Sequence, residues 1–253
     1  MNMNKSVKCH ILKDVGSTNT YLLELKGGDP NFNYELANAD FQSAGRGQRG
    51  NTWESEQGSN LLFSILAHPG YIEAKNQFYV SQAISLAVLN SIATVAGLEY
   101  AKDFSVKWPN DIYWKNKKIA GILIENVLQG SNILDSVIGV GLNVNQKVFV
   151  SNAPNPVSLY NITGKKINRD DLLEMIVDEF IQQMDNLRNG NHYSVDEEYH
   201  RHLFRRDGFY RYRDSQGEFS ARIDHVRSDG HLVLVDNEGK TRQYEFKEVS
   251  IIL

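Results

Sequence analysis

The stretch Gly45-Arg46-Gly47-Gln48-Arg49-Gly50-Asn51-Thr52-Trp53 decides what kind of fold this chain can have. Its first six residues satisfy G-x-G-x-x-G, the spacing with which a dinucleotide-binding βαβ unit wraps a pyrophosphate. That unit needs a helix to open at the third glycine. Instead Gly50 is followed by Asn51-Thr52-Trp53-Glu54-Ser55-Glu56-Gln57-Gly58-Ser59, which is turn chemistry, and then by Leu61-Leu62-Phe63-Ser64-Ile65-Leu66, which reads as a buried strand. The Rossmann reading therefore fails on context. What remains is a loop suited to anions, because three glycines bring backbone amides close to a ligand while Arg46 and Arg49 supply charge. The plain alternative is a solvated surface turn, against which the clustering of arginines with glycines argues. Trp53 adds an aromatic face that could stack on a base, although an isolated tryptophan also suits a core.

Outward from this loop, strand patterns fall at 10–13, 35–42, 61–67, 106–108, 118–127 and 133–143. The most periodic helix covers 77–96, with Val80, Ile84, Ala87, Val88, Ser91 and Val95 on one stripe. A second starts near Asn168 as cap and ends near Gly190, and a third covers 195–204 with Ser194 as N-cap. From Gly208 the texture changes to short β-like runs punctuated by Gln216-Gly217, Asp229-Gly230 and Glu238-Gly239, which reads as a small five-stranded barrel. The expected fold is α+β with a mixed, largely antiparallel sheet in residues 1–205 and a small β-barrel in 206–253.

Composition sets further bounds. The 253 residues carry a formal net charge of −4, so nothing draws the chain globally to nucleic acid. Cys9 is the single cysteine, which excludes an internal disulfide and a thiolate metal cluster and fits a reducing cytoplasm. No signal peptide is visible, and no apolar run approaches the roughly 18 residues that span a bilayer, so no membrane partner is expected.

Three more segments carry chemistry. Ser17-Thr18-Asn19 precedes the apolar pattern Tyr21, Leu22, Leu25, and its plain reading is a helix cap, which is compatible with ligand contact. Val106-Lys107-Trp108-Pro109-Asn110-Asp111 puts an ammonium in an apolar strand that proline then stops. Lys107 either snorkels to water or needs a partner, and Asp111 could be that partner or a metal ligand. In Gly139-Val140-Gly141-Leu142-Asn143 small residues permit close backbone approach, and Asn143 could hold a hydroxyl or phosphate.

Taken in this order, these segments resemble the biotin protein ligase family, also called biotin-[acetyl-CoA-carboxylase] ligases. The resemblance is carried by Ser17-Thr18-Asn19, Phe41 to Gly47 with Arg49-Gly50 and Trp53, Lys107 to Asp111, Lys118-Ile119-Ala120-Gly121-Ile122-Leu123-Ile124-Glu125, and Gly139 to Asn143. It implies a class II synthetase-like catalytic domain followed by an SH3-like domain. It also implies biotin and ATP as substrates with Mg²⁺, the ion arriving as Mg-ATP rather than on protein ligands. The acceptor would be a lysine on a biotin carboxyl carrier protein of acetyl-CoA carboxylase or another biotin-dependent carboxylase. By the same resemblance Ser17, Thr18, Asn19 and Gln42 frame the ureido end of biotin, with Arg46, Gly47 and Gln48 as the loop over it. Lys107 and Arg46 are the expected catalytic cations, and Lys107 also meets biotin. Trp53 packs on adenine, and Arg49, Asn110, Lys118 and Asn143 serve the nucleotide. Gln48 departs from the pattern, since the family commonly has arginine there. With sixteen residues before Ser17, a helix-turn-helix reader of DNA is not expected. Two other readings stand beside this one: a lipoate or octanoate transferase of related fold, and a noncatalytic nucleotide-binding module.

Overall fold

A computed structural model describes residues 3–47, 52–150 and 154–252. In chain order the larger part contains β1 (Val7–Val15), α1 (Thr18–Glu24), β2 (Tyr34–Gln42), β3 (Leu61–Ala67), α2 (Phe78–Ala96) and α3 (Leu98–Ala101). It continues with β4 (Phe104–Lys107), β5 (Asp111–Trp114), β6 (Lys117–Gln129), β7 (Asn132–Leu142), α4 (Leu159–Thr163), α5 (Arg169–Arg188) and α6 (His192–Arg201). The strands form a seven-stranded sheet of order β1-β2-β3-β7-β6-β5-β4. Only its β1–β2 pair is parallel, so the sheet is mixed and largely antiparallel.

Alternation of side chains along the strands assigns the two faces. Leu36 of β2, Phe63 and Ile65 of β3, and Ile138 and Val140 of β7 join the main core, which includes Ile84 of α2, Phe180 of α5 and Tyr199 of α6. Their neighbours Ala37, Leu66 and Val137 point the other way and pack with Leu22 of α1 in a smaller cluster. The short helix α1, about two turns long, therefore covers the face opposite the large helices.

The stretch Ala74–Ala96 is apolar and long enough to cross a membrane by length and composition, contrary to the expectation from apolar runs. Its window is 72% buried inside the protein, because α2 lies between the sheet and α5 and α6. Two helix boundaries repay comparison. Asn168 accepts from the Asp170 amide as the expected cap of α5. The next helix starts three residues before the sequence reading placed it, with Asn191 at its N-cap, and Ser194 lies within its first turn and donates to the Asn191 carbonyl. The short β5 was missed because four residues between Pro109 and a turn at Lys115 (φ 52°) show no period.

The C-terminal residues form β8 (Tyr210–Asp214), β9 (Gly217–Val226), β10 (Leu232–Asp236), β11 (Thr241–Tyr244) and β12 (Ser250–Ile251), an antiparallel sheet of order β11-β10-β9-β8-β12. It is tied to the larger part by Trp108 Nε1 donating to the Gly230 carbonyl at 2.9 Å and by Arg205 Nη1 donating to the Ile252 carbonyl at 2.8 Å.

Candidate functional site

Where β6 and β7 run side by side, the face of the sheet that carries α1 is bare. Gly121 pairs with Gly141, and Gly139 pairs with Ser64 of β3. Alternation puts all four on the side opposite the main core, together with Leu123 and Glu125. A methyl group on Gly141 would fall 2.7 Å from Trp53 Cδ2, and one on Gly121 would fall 2.9 Å from Trp53 Cζ3. A methyl on Gly139 would strike the Asn19 amide. The glycines therefore let an indole and a carboxamide rest on the backbone itself.

Over this floor lies a cavity of about 120 Å³. Its polar end is built by the start of α1. Ser17 occupies the N-cap position with extended backbone, yet its side chain makes no capping bond. The Thr18 amide donates instead to Gln42 Oε1 at 2.7 Å, and the Thr18 hydroxyl reaches the same oxygen at 3.0 Å. Ser64 Oγ lies 2.7 Å from Thr18 Oγ1 and 2.6 Å from Asn19 Oδ1, beneath both. Asn19 Nδ2 then donates to Glu125 Oε2 at 2.8 Å and to the Leu123 carbonyl at 3.2 Å. These buried side chains hold one another in fixed rotamers.

Two cations complete the cavity, each balanced by an acid. Arg46 makes a two-point contact with Glu125, at 3.2 and 2.8 Å. Lys118 Nζ sits 2.8 Å from Asp111 Oδ1 and 5.7 Å from the centre of the Trp53 ring. Both pairs are partly exposed, so an incoming anion can compete for either cation at small cost. Trp53 Nε1 is buried without a hydrogen-bond partner among the described residues.

Of the residues picked from sequence, Ser17, Thr18, Asn19, Gln42, Arg46, Gly47, Trp53 and Lys118 line this one cavity. Gln48 and Arg49 lie outside the described residues. Lys107 and Asn110 line a second cavity instead, on the side of the C-terminal sheet. The cause is register: Lys107 pairs with Asp111, and its ammonium donates to the Tyr113 hydroxyl at 3.2 Å and lies 4.9 Å over that ring. Burial pulls the Lys107 pKa below the usual lysine range; Asp111 opposes the shift, and Lys118 and Arg205 add to it. Asn110 is buried and donates to the Ile122 carbonyl at 3.0 Å. Asn143 is buried beyond the end of β7, where Nδ2 donates to the Val157 carbonyl at 3.1 Å and Oδ1 has no partner among the described residues.

Sequence reasoning missed Ser64, Glu125 and Phe246. Ser64 had a signal, a lone hydroxyl in an otherwise apolar buried strand. Glu125 ended a segment that carried the resemblance but was given no role, and Phe246 had no signal, since only tertiary contact brings them to Arg46 and to the cavity wall.

Residues 12–143 match the model of the Biotin/lipoate A/B protein ligase family. The chain is 32% identical to the bifunctional ligase/repressor BirA of Escherichia coli over 175 residues, 67% of this chain and 51% of that protein. It is 29% identical to a biotin-[acetyl-CoA-carboxylase] ligase of Mycobacterium tuberculosis over 181 residues, 72% of this chain and 65% of that one. The chain spans about half the length of the BirA relatives it matches. In fold it is similar to the biotin protein ligase of Aquifex aeolicus solved with biotin and ATP, with TM-score 0.79, 24% identity and coverage of 97% and 98% of the two chains. This chain belongs to the Biotin/lipoate A/B protein ligase family.

Proposed function

We propose that the protein ligates biotin to a lysine of a biotin carboxyl carrier domain, through biotinyl-5′-adenylate. The observation that carries this reading is the polarity of the first cavity. One end presents the hydroxyls and amides of Ser17, Thr18, Asn19 and Gln42, while Arg46 and Lys118 stand around it as cations. That donor and acceptor set suits a ureido group, which both gives and takes hydrogen bonds. A dithiolane ring offers it nothing comparable, so the same observation disfavours lipoate.

In the first step a carboxylate oxygen of biotin bonds to the α-phosphorus of ATP, and the bond to the bridging oxygen breaks to release pyrophosphate. Two anions must meet, so fixed cations and backbone donors have to offset their repulsion and the charge that develops. Lys118 takes the role that the sequence reading gave to Lys107, because it reaches the first cavity and Lys107 does not. Arg46 leaves Glu125 to meet the acid. Trp53, already seated on Gly121 and Gly141, offers a face to the adenine, and Asn143 Oδ1, without a partner among the described residues, is an acceptor beyond it. In the second step a neutral lysine of the carrier attacks the acyl carbon and AMP leaves.

Among the described residues no group of three His, Cys, Asp or Glu could hold a metal. Mg²⁺ is bound in such enzymes through one or two carboxylates and the substrate phosphates, and Asp111 is the cavity carboxylate placed to share it. When bound it would neutralise phosphate charge. We read the five-stranded C-terminal sheet as an SH3-like domain, with its boundary near Arg205, and the exposed Cys9 as fitting a cytoplasmic setting. The test is ATP–pyrophosphate exchange with biotin or lipoate as the acid. Biotin-dependent exchange is expected; exchange with lipoate alone, or with neither, would refute the proposal.

A further inference from the structure

The second cavity shares Asp111 and Phe246 with the first, but its Lys107 and Tyr212 have no part in the chemistry above. It encloses about 290 Å³ between the Lys107–Asp111 segment and the C-terminal sheet, and Trp108, Phe204, Leu232 and Phe246 give it walls of mostly hydrocarbon. Two of its polar groups are poorly served. Lys107 is half-buried, and its one short contact is to a neutral phenol. Tyr212 is 2% exposed, and its hydroxyl has no hydrogen-bond partner among the described residues. Burial pushes the Tyr212 pKa up to about 12, with Arg205 pulling the other way, and the same Arg205 helps to depress Lys107. Asp111 also lines the cavity, but its carboxylate is engaged by Lys118 at 2.8 Å, so among the described residues the two groups share a neighbourhood with no uncommitted carboxylate.

A desolvated ammonium and a buried hydroxyl without an acceptor are both satisfied by an anionic oxygen. A polyphosphate would leave most of its charged oxygens against hydrocarbon. A single carboxylate leaves none, and an apolar chain behind it fills the rest of the space. We propose that this interdomain cavity is a second ligand site, for a small monocarboxylate with an apolar chain, held by Lys107 and Tyr212. The proposal does not depend on the ligase reading.

Octanoate is the probe, titrated by calorimetry into the whole chain. Saturable binding is expected, weakened about tenfold or more by Lys107→Met and about threefold by Tyr212→Phe, as loss of a charged and a neutral hydrogen bond implies. Lys107→Arg keeps the charge and keeps most of the affinity. Val249→Phe fills the cavity from its wall and replaces neither polar residue, and it abolishes binding whether or not Lys107→Met folds. Arg46→Ala, in the first cavity, leaves octanoate binding unchanged. The proposal is overturned if the parent shows no saturable binding, if folded Lys107→Met and Val249→Phe bind like the parent, or if Arg46→Ala weakens binding as much as they do.

Discussion

Replacing Lys118 by methionine separates the two lysines that compete for the catalytic role. The Lys118 side chain is 31% exposed and its partner Asp111 is 30% exposed, so their ion pair sits in water-screened surroundings. Such a pair contributes at most about 1 kcal/mol to stability, and the variant folds. Its effect on the reaction is larger. A unit charge about 4 Å from another is worth about 4 kcal/mol at an effective dielectric of about 20. Competition from Asp111 and partial exposure remove about a third to a half of that, leaving about 2–3 kcal/mol at the centre where charge develops. Biotin-dependent ATP–pyrophosphate exchange should then fall about 30- to 150-fold in Lys118→Met. Lys107→Met, whose ammonium faces the other cavity, should lose less than about tenfold. Circular dichroism and thermal melts establish that both variants are folded. If Lys107→Met is the more damaged of the two, the cation assignment drawn from the cavity is wrong and the one drawn from the strand-end motif is right.

Gly141→Ala should displace the Trp53 ring, lowering stability by about 1–3 kcal/mol and shifting tryptophan emission; unchanged melting and emission would show that the ring does not rest there. Ser64→Ala removes the hydroxyl beneath Thr18 and Asn19, so biotin KM should rise by about tenfold while kcat at saturating biotin stays nearly constant. A fall in kcat alone would place Ser64 in a different role. Asp236 accepts from the Lys240 and Glu238 amides and from Arg242, and these bonds, that from Lys240 foremost, hold its pKa below the usual carboxylate range. Because the folded value is the lower one, this stabilisation is present above the ordinary carboxylate pKa and is lost as pH falls through the folded value. Asp236→Asn should therefore lower the urea midpoint at pH 7 and converge with the parent in acid; a difference independent of pH would refute the charge argument.

The order of elements was readable because β3, β6, β7, α2 and α5 are long enough to show their periods, and because Asn168 and the glycine turns mark their ends. The loop at Gly45 could be excluded from a dinucleotide fold by its neighbours alone. Short elements such as β5, and a helix start set by Gly190 and Asn191 instead of Ser194, left too little period to read. The site divides in the same way. Ser17 to Asn19, Arg46 and Trp53 sit in motifs whose spacing is local, so sequence could nominate them. Which lysine enters the cavity is set by strand register, since Lys107 pairs with Asp111 and turns toward Tyr113 while Lys118, two strands away, turns toward Trp53. That choice, like the meeting of Arg46 with Glu125 across 79 residues, belongs to tertiary structure, because a one-residue change of register exchanges the two faces of a strand without altering its sequence.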